Sequence, residues 1–348
     1  MSSDVSYFQP ILNISLEELT DFIVSLGEKK FRATQVADWL YQHHAQSYDE
    51  MTNLSIGLRE TLKQAAPLHR SRIVEKQESR DGTRKYLIEM ADGVCVETVG
   101  LPTDDRLTVC MSSQAGCAMG CVFCATGQAG FTRNLTPGEM TEQVRLVAED
   151  FGIRVSNIVV MGQGEPFHNY DNVIAALHIL NHPRYFNIGA RHITVSTCGI
   201  IKGIEKFAEE PEQFTLAISL HSAVQSTRDL LMPGVSSQNL MALKRVIKEY
   251  ERKTNRRPTL EYTLIKGKQT SSEEIAALGK FAHDLQAHIN LIPVNASSNA
   301  DIKPPSRDEI VRIENELKKM RVNATIRTER GSDISAACGQ LAQQRQQP

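Results

Sequence analysis

The alternation of short apolar strands with amphipathic helices from residue 107 onward constrains the fold of this chain more than any other feature. Strands are predicted at 107–111, 157–161, 192–196, 215–220, 260–264, 289–292 and 324–328. Helices are predicted at 136–150, 171–180, 240–252, 272–284 and 307–320. Strands that are separated by helices pair in parallel through right-handed crossovers, so this part of the chain is predicted to form an α/β fold.

The first hundred residues follow a different pattern. Helices are predicted between residues 15 and 62, and Ser15 with Glu18 forms a capping box at the start of the first one. Alternating stretches at 85–89 and 94–98, next to Asp-Gly pairs, indicate antiparallel strands with tight turns. We therefore predict an N-terminal accessory domain over residues 1–100, made of helices and a small antiparallel sheet, and a core domain over residues 101–348.

Three cysteines in one short, glycine-containing segment are the first candidate for a reactive centre. Cys117, Cys121 and Cys124 are separated by three and then two residues, which lets a single loop surround a metal group. Three thiolates are too few to complete a tetrahedral zinc site, but they leave one iron of a four-iron cube open. The spacing therefore favours an iron-sulfur cluster over zinc. A redox dithiol ranks below zinc because it leaves Cys117 without a role.

Further motifs appear in a fixed order along nearly the whole chain. They lie at 96–99, 130–135, 161–166, 195–199, 218–221, 292–295 and 336–341. Together with the three-cysteine loop, this ordered set resembles the RlmN/Cfr family of radical S-adenosylmethionine (SAM) RNA adenine methyltransferases. The resemblance implies an incomplete (β/α)6 radical SAM barrel with a small N-terminal accessory domain.

The resemblance also implies the cofactors and the residues of the site. The cofactors are SAM and a [4Fe–4S] cluster, whose ligands are Cys117, Cys121 and Cys124. The residues that the resemblance assigns to SAM are Gly164, Glu165, Ser196, Ser219, Leu220, His221 and Asn295. The residues that it assigns to catalysis are Glu97, Cys110 and Cys338.

By the same resemblance, SAM first methylates the Cys338 thiol. A second SAM yields a radical that removes a hydrogen atom from this methyl group, and the resulting carbon radical adds to an adenine. Cys110 is then expected to release the adduct through a transient disulfide with Cys338, while Glu97 acts as acid or base. From the residues alone, Cys110 is equally well a buried strand thiol, and Glu97 is an ordinary surface charge.

The expected target is C2 of adenine 2503 in 23S rRNA, with C2 of adenine 37 in tRNA as a second target. The alternative within the family is C8 of the same rRNA adenine, because motif spacing does not determine which carbon is methylated. An alternative from a different functional class is that the chain is a non-catalytic RNA-binding protein whose fold is stabilised by a cluster or by zinc. Such a protein would tolerate the loss of Cys338. A radical SAM enzyme acting on a peptide would need neither Cys338 nor Cys110.

Composition adds the cellular setting. Seven clustered cysteines in a chain without a signal-like N-terminus or a membrane-length apolar run predict a reducing, cytoplasmic location and no membrane partner. A net charge of −2 and a pI of about 6.6 give no sign of a nucleic-acid partner. The expected partners, 23S rRNA, tRNA and an electron donor such as flavodoxin or ferredoxin, therefore follow from the resemblance. We expect a monomer.

Overall fold

The computed structural model describes residues 10–295 and 302–341. The chain begins with three helices, α1 (Leu16–Ser25), α2 (Phe31–Tyr41) and α3 (Ile56–Ala65). The Ser15 hydroxyl accepts a hydrogen bond from the Glu18 backbone N–H, and the Glu18 carboxylate accepts one from the Ser15 N–H, so the predicted capping box is confirmed. The apolar faces of these helices, with Ile23, Val36 and Leu62 fully buried, form a hydrophobic core of their own.

The rest of the described chain is built around twelve strands. They are β1 (Arg72–Glu78), β2 (Arg84–Glu89), β3 (Cys95–Pro102), β4 (Leu107–Cys110), β5 (Gln114–Gly116), β6 (Phe131–Asn134), β7 (Asn157–Val160), β8 (Ile193–Thr197), β9 (Thr215–Ser219), β10 (Thr259–Leu264), β11 (His288–Pro293) and β12 (Ala324–Ile326). The helices among them are α4 (Ala125–Ala129), α5 (Pro137–Phe151), α6 (Tyr170–Asn181), α7 (Ile201–Phe207), α8 (Gln225–Leu231), α9 (Leu240–Thr254), α10 (Ser272–Ala282) and α11 (Arg307–Lys319).

Ten of the strands form one sheet in the order β1-β2-β3-β4-β7-β8-β9-β10-β11-β12, while β5 and β6 form a separate hairpin. The pairs from β1 to β4 are antiparallel, and the pairs from β4 to β12 are parallel. Six strand-helix repeats, from β4 with α5 to β11 with α11, are followed by β12. The predicted α/β fold with an incomplete (β/α)6 barrel is confirmed.

The antiparallel strands pack differently from the small separate sheet that the pattern predicts. Strand β3 pairs directly with β4, with Val99 opposite Cys110. Tyr86, Ile88 and Val96 belong to the core of the barrel, because β2 and β3 extend its sheet. The division of the chain at residue 100 stays a prediction. Within that segment, the helices have a separate core and the strands share the core of the barrel.

Four short elements were not anticipated: α4, α7, α8 and the β5–β6 hairpin. Helices α7 and α8 have seven residues each, which is too short for a 3.6-residue periodicity to be recognised. Within the described residues, every helix is too short or too polar to cross a lipid bilayer. The loops that follow the carboxyl ends of the parallel strands collect at one end of the barrel, which is where barrel enzymes place their reactive groups.

Candidate active site

One cavity at this end of the barrel brings together most of the predicted site residues, and we call it the cluster cavity. The predicted residues that line it are Cys117, Cys121, Cys124, Gly164, Glu165, Ser196, Ser219, His221, Asn295 and Cys338. They come from loops that are up to 221 positions apart in sequence. The parallel sheet brings them together because all these loops follow carboxyl ends of its strands or dock against them.

The three-cysteine loop is anchored on several sides by main-chain hydrogen bonds. The Cys117 N–H donates to the Gly130 carbonyl at 2.8 Å, which attaches the loop to the β5–β6 hairpin. The Val122 N–H donates to the last residue of α8 at 3.0 Å, and the Ala125 N–H donates to the Gly339 carbonyl at 2.7 Å. The last of these bonds places the C-terminal segment that carries Cys338 directly against the cysteine loop.

The thiols fit a multi-iron cluster better than a single metal ion. Three thiolates leave one position of a tetrahedral zinc ion without a ligand, whereas they leave one iron of a four-iron cube open. Burial, with the charge of Cys124 as a smaller cause, raises the pKa of Cys117 to about 11. Burial and then the charges of the other two thiols raise the pKa of Cys121. Thiolates here therefore need a positively charged group among them, such as an iron-sulfur cube.

The turn after β7 supplies polar groups to the same cavity. Gly164 has a φ of 106°, and a Cβ at this position would lie 2.6 Å from the Gln114 side chain, so only glycine fits. The buried Glu165 carboxylate accepts hydrogen bonds from the N–H groups of Phe167 at 3.0 Å and Cys198 at 2.7 Å. Its position is fixed while its charge faces the cavity. These features suit the amino group of an amino-acid-like ligand such as SAM.

Serine hydroxyls and one histidine complete the predicted ligand contacts. The Oγ atoms of Ser196 and Ser219 lie 3.5 Å apart. The His221 Nδ1 accepts a hydrogen bond from the Thr263 N–H at 3.1 Å, so its proton is on Nε2. Burial, and then the charge of Arg228, lowers the pKa of His221 to about 3. His221 is therefore a neutral hydrogen-bond donor at physiological pH, as an adenosine ligand would require.

A second cavity lies on the other side of Cys338, and we call it the Cys110 cavity. Its own lining residues are Val99, Leu101, Cys110, Thr328, Glu329, Arg330, Ala336 and Ala337. The residues that line both cavities are Ile292, Pro293, Asn295, Arg327 and Cys338. Asn295 donates from Nδ2 to the Cys338 carbonyl at 3.0 Å, which fixes the backbone of the exposed cysteine. Cys338 is thus placed between the two cavities.

The structure does not support a disulfide between Cys110 and Cys338. Every cysteine of the chain is described, and none of them forms a disulfide. Cys110 is buried, and burial raises its pKa to about 12, with the charge of Cys338 as the second cause. The Cys110 thiol therefore stays protonated at neutral pH, whereas disulfide formation requires a thiolate.

Two other predicted residues lie outside the cluster cavity. Glu97 has 4% exposure and forms an ion pair with Lys85 at 3.0 Å, so its interpretation as an ordinary surface charge is wrong. It shares a face of β3 with Val99, which lines the Cys110 cavity, because side chains alternate along a strand. Leu220 is fully buried in the hydrophobic core of the barrel, and its side chain does not line the cluster cavity.

Sequence reasoning missed two arginines at this site. Arg327 lines both cavities together with Cys338, and the charge of Cys338 raises the pKa of Arg327. Its position directly after β12 was a signal that could have identified it, since reactive groups follow the carboxyl ends of barrel strands. Arg228, on α8, is 1% exposed and gave no such signal, because its helix was not predicted.

Comparison with known proteins agrees with this geometry. A family model described as "Ribosomal RNA large subunit methyltransferase N-terminal domain" matches residues 9–68, and one described as "Radical SAM superfamily" matches residues 111–279. A probable dual-specificity RNA methyltransferase RlmN from Staphylococcus haemolyticus is 46% identical over 342 residues, which covers 97% of this chain and 94% of that protein. A protein of the same name from Staphylococcus epidermidis is 45% identical over the same shares.

A solved structure extends the likeness to three dimensions. The crystal structure of a radical SAM methyltransferase from Sphaerobacter thermophilus superposes with a TM-score of 0.90 and 40% sequence identity, covering 97% of this chain and 100% of that one. The similarity therefore includes both the N-terminal helices and the barrel. This chain belongs to the RlmN family of radical SAM RNA methyltransferases.

Proposed function

We propose that this RNA methyltransferase methylates C2 of adenine 2503 in 23S rRNA and C2 of adenine 37 in tRNA, with Cys338 as the carrier of the methyl group. The observation that carries the proposal is the position of Cys338 on the wall shared by the cluster cavity and the Cys110 cavity. A methyl carrier must reach both the methyl donor and the RNA base. The names of the relatives, which describe dual-specificity RNA methyltransferases, support two RNA targets.

In the cluster cavity, we assign the [4Fe–4S] cluster to Cys117, Cys121 and Cys124. The residues that we assign to SAM are Gly164, Glu165, Ser196, Ser219, His221 and Asn295, together with the main chain at Leu220. When bound, the cluster and SAM supply the one-electron chemistry that an unreactive aromatic carbon requires. The chain itself orients the ligand. Glu165 offers a fixed carboxylate, and His221 offers its Nε2 proton.

Arg327 prepares Cys338 for its part in the reaction. The guanidinium group lies with Cys338 on the wall shared by the two cavities, and the charge of Cys338 raises the pKa of Arg327. Asn295, after the neighbouring parallel strand β11, fixes the Cys338 main chain. The Cys338 sulfur can therefore accept a methyl group from the cluster cavity while the same side chain faces the Cys110 cavity.

Glu97 is proposed as the base that removes the proton from adenine C2 after the carbon has been attacked. Lys85 keeps its carboxylate paired at 3.0 Å and also donates to the Ser335 carbonyl at 3.4 Å. This lysine thus connects the base to the segment that carries Cys338. The role of Cys110 stays a prediction. Burial raises the pKa of its thiol, so Cys110 would have to lose its proton before it could attack the Cys338 sulfur.

The RNA and the electron donor are further parts of the proposal. An adenine must leave its stack to reach the Cys110 cavity, since enzymes that modify base atoms act on bases exposed from the helix. We propose flavodoxin or ferredoxin as the donor of electrons, a monomeric enzyme and a cytoplasmic setting. The near-neutral net charge of −2 implies that RNA contacts depend on local charge rather than on an overall basic surface.

The test is mass spectrometry of anaerobically reconstituted protein that has been given SAM, a reductant and either 23S rRNA fragments or tRNA. The proposal expects a methyl group on Cys338 and 2-methyladenosine in the digested RNA. Finding 8-methyladenosine instead would show that the enzyme acts at the other carbon. An unmodified Cys338 with no methylated adenosine, in protein that carries the cluster, would contradict the proposal.

A further inference from the structure

A buried arginine lies behind the cysteine loop. Arg228 is 1% exposed, and it forms no ion pair with a carboxylate within 4.0 Å among the described residues. One of its nitrogens, Nη2, donates to the Cys198 carbonyl at 2.6 Å. Its Nε and Nη1 atoms are buried and have no hydrogen-bond partner in the described part of the chain. A buried cation in this state is costly, and native proteins nearly always compensate it.

Hydrogen bonds attach α8, the helix that carries Arg228, to the cysteine loop. The Val122 N–H donates to the Leu231 carbonyl at the end of α8 at 3.0 Å, and the Gly234 N–H donates to the Met119 carbonyl at 3.0 Å. These two bonds lie on either side of Cys121 in sequence. The cysteine loop and α8 are therefore joined on both sides of Cys121, and Arg228 belongs to the helix that docks against the loop.

Arg228 lies next to the wall of the cluster cavity. The Cys198 carbonyl accepts its hydrogen bond, and Cys198 lines that cavity together with the three cluster thiols. The Cys198 Sγ also lies 3.3 Å from the Met119 Sδ in the cysteine loop. Asp229, the next residue on α8, is a partly exposed carboxylate that acts on the charge of Arg228, but among the described residues no carboxylate pairs with the guanidinium group within 4.0 Å. The two buried nitrogens without a partner therefore leave a positive charge beside the cluster site.

We propose that Arg228 is the buried counter-charge of the iron-sulfur cluster and stabilises its reduced form. This inference rests on the proposed assignment of Cys117, Cys121 and Cys124 as cluster ligands. Three thiolates give the site a negative charge, and one added electron increases that charge. A fixed cation in a poorly solvated environment lowers the free energy of the reduced state more than that of the oxidised state. Arg228 acts through this charge and does not touch substrate, so it is a positioning residue.

The conformation around Arg228 supports a fixed rather than a mobile charge. Gly199 has a φ of 98°, and a Cβ there would lie 3.3 Å from Nη2 of Arg228. The Arg228 backbone N–H donates to the Val224 carbonyl within the first turn of α8. Both the main chain and the tip of the side chain are therefore held. A charge that does not reorganise acts most strongly on an electron-transfer centre.

The experiment is a redox titration of anaerobically reconstituted protein, with dithionite as the one-electron reductant and the reduced cluster measured by electron paramagnetic resonance. The variants are Arg228→Met and Arg228→Lys. The matched control is Arg312→Met, which removes an exposed arginine paired with Glu316 on α11. Iron and sulfide content is measured in every sample, so that loss of the cluster is separated from a change in its potential.

In Arg228→Met, the ratio of reduced to oxidised cluster at a fixed potential is expected to fall about tenfold, which equals about 59 mV for one electron. Arg228→Lys and Arg312→Met are expected to remain within about twofold of the wild type, because the first keeps the buried charge and the second changes only an exposed one. If Arg228→Met titrates as the wild type does, the inference is wrong, although the proposed function is unaffected.

Two further outcomes are also decisive. If Arg228→Met does not fold or does not retain a cluster, Arg228→Lys and Arg228→Gln provide the same comparison, since both are polar and only one is charged. Equal potentials in that pair would overturn the inference, and a lower potential in Arg228→Gln alone would support it. A wild-type protein that takes up no cluster at all would overturn the proposed function and the inference with it.

Discussion

The two cavities that meet at Cys338 are built differently. In the cluster cavity, the polar groups are fixed by main-chain hydrogen bonds, as at Glu165, and they are largely buried. The Cys110 cavity is lined by apolar side chains such as Val99 and Leu101, and its outer part carries charged residues such as Arg330. The difference indicates that the first cavity is organised before its ligand binds, whereas the second receives a substrate that brings its own structure.

Five residues line both cavities and form the wall between them, and we propose that two of their side chains take part in methyl transfer. Cys338 and Arg327 line both cavities, and the charge of Cys338 raises the pKa of Arg327. A substitution there should disconnect the cavities, while a substitution on one side should affect only that half of the reaction. The predictions below test this division, beginning with the largest effect.

Cys338→Ala is expected to abolish RNA methylation and to leave the cluster intact. Among the described residues, Cys338 has the one thiol that lines both cavities and could carry a methyl group; the alanine removes it but leaves the three cluster thiols unchanged. Iron and sulfide content and methylated nucleosides from digested RNA are the two measurements. Cys95→Ala, at the start of β3, is the matched control and should retain both. Methylated adenosine from Cys338→Ala would contradict the carrier role.

Glu97→Gln is expected to affect only the Cys110 cavity. Removal of a general base lowers rates by about 10²- to 10⁴-fold, so formation of 2-methyladenosine should fall by that factor. Methylation of Cys338, measured on the intact protein by mass spectrometry, should proceed at the wild-type rate because it takes place on the other side of the wall. Glu78→Gln removes a more exposed carboxylate on β1 and serves as the control. If Glu97→Gln reduced Cys338 methylation as much as RNA methylation, Glu97 would act in the cluster cavity, and its proposed role as the base for adenine C2 would be wrong.

Arg327→Met is expected to slow the reaction of Cys338 with iodoacetamide by about tenfold at neutral pH, because a neighbouring positive charge favours the reactive thiolate. Alkylation of Cys338 is followed by peptide mass spectrometry and requires neither the cluster nor RNA. Arg327→Lys should retain most of the rate. Arg330→Met removes another arginine of the Cys110 cavity, one that donates to the Pro102 carbonyl, and should change the rate less than twofold. Equal rates in Arg327→Met and the wild type would remove Arg327 from the proposed mechanism.

Much of the fold could be predicted from the sequence because its signals are local. The capping box at Ser15 and the strand predicted at 157–161, found as β7 (Asn157–Val160), depend on residues within a few positions of each other. The pairing partner of β3, by contrast, is not determined by residues close to it in sequence. An alternating strand looks the same whether it forms a separate small sheet or, as here, extends the sheet of the barrel through β4.

The site was predictable in part for the same reason. The cysteine loop is a local motif, and the structure places its thiols in one cavity with Cys338. The importance of Arg228 and Arg327 depends on distant partners, however, and charge alone does not distinguish a buried arginine from a solvated one. The contact from Lys85 to Ser335 spans 250 positions. Such pairs follow from the closure of the barrel and are not visible in a linear pattern.

His221→Asn tests how strongly the cluster cavity is preorganised, and it is the smallest effect that we predict. The pKa of His221 falls from an ordinary value of 6.5 to about 3 in the folded protein, so between these values the unfolded chain binds more protons than the folded one. The free energy of unfolding should therefore fall as the pH drops below 6.5. At neutral pH the imidazole is uncharged in both the folded and the unfolded chain, so His221 causes no such loss of stability there. For a fully buried imidazole, the loss is about 1 kcal/mol at about pH 5.5.

Asparagine tolerates the left-handed backbone at this position, where φ is 55°, and it does not titrate. Chemical denaturation at about pH 7.5 and about pH 5.5 should therefore show a smaller loss of stability on acidification in His221→Asn than in the wild type, by about 1 kcal/mol. The same substitution at the exposed His168 is the matched control. Parallel losses in wild type and His221→Asn would mean that the folded protein accommodates a charged imidazole. In that case the hydrogen bonds from Thr263 would not fix the proton on Nε2, and the cluster cavity would be no more preorganised than the Cys110 cavity.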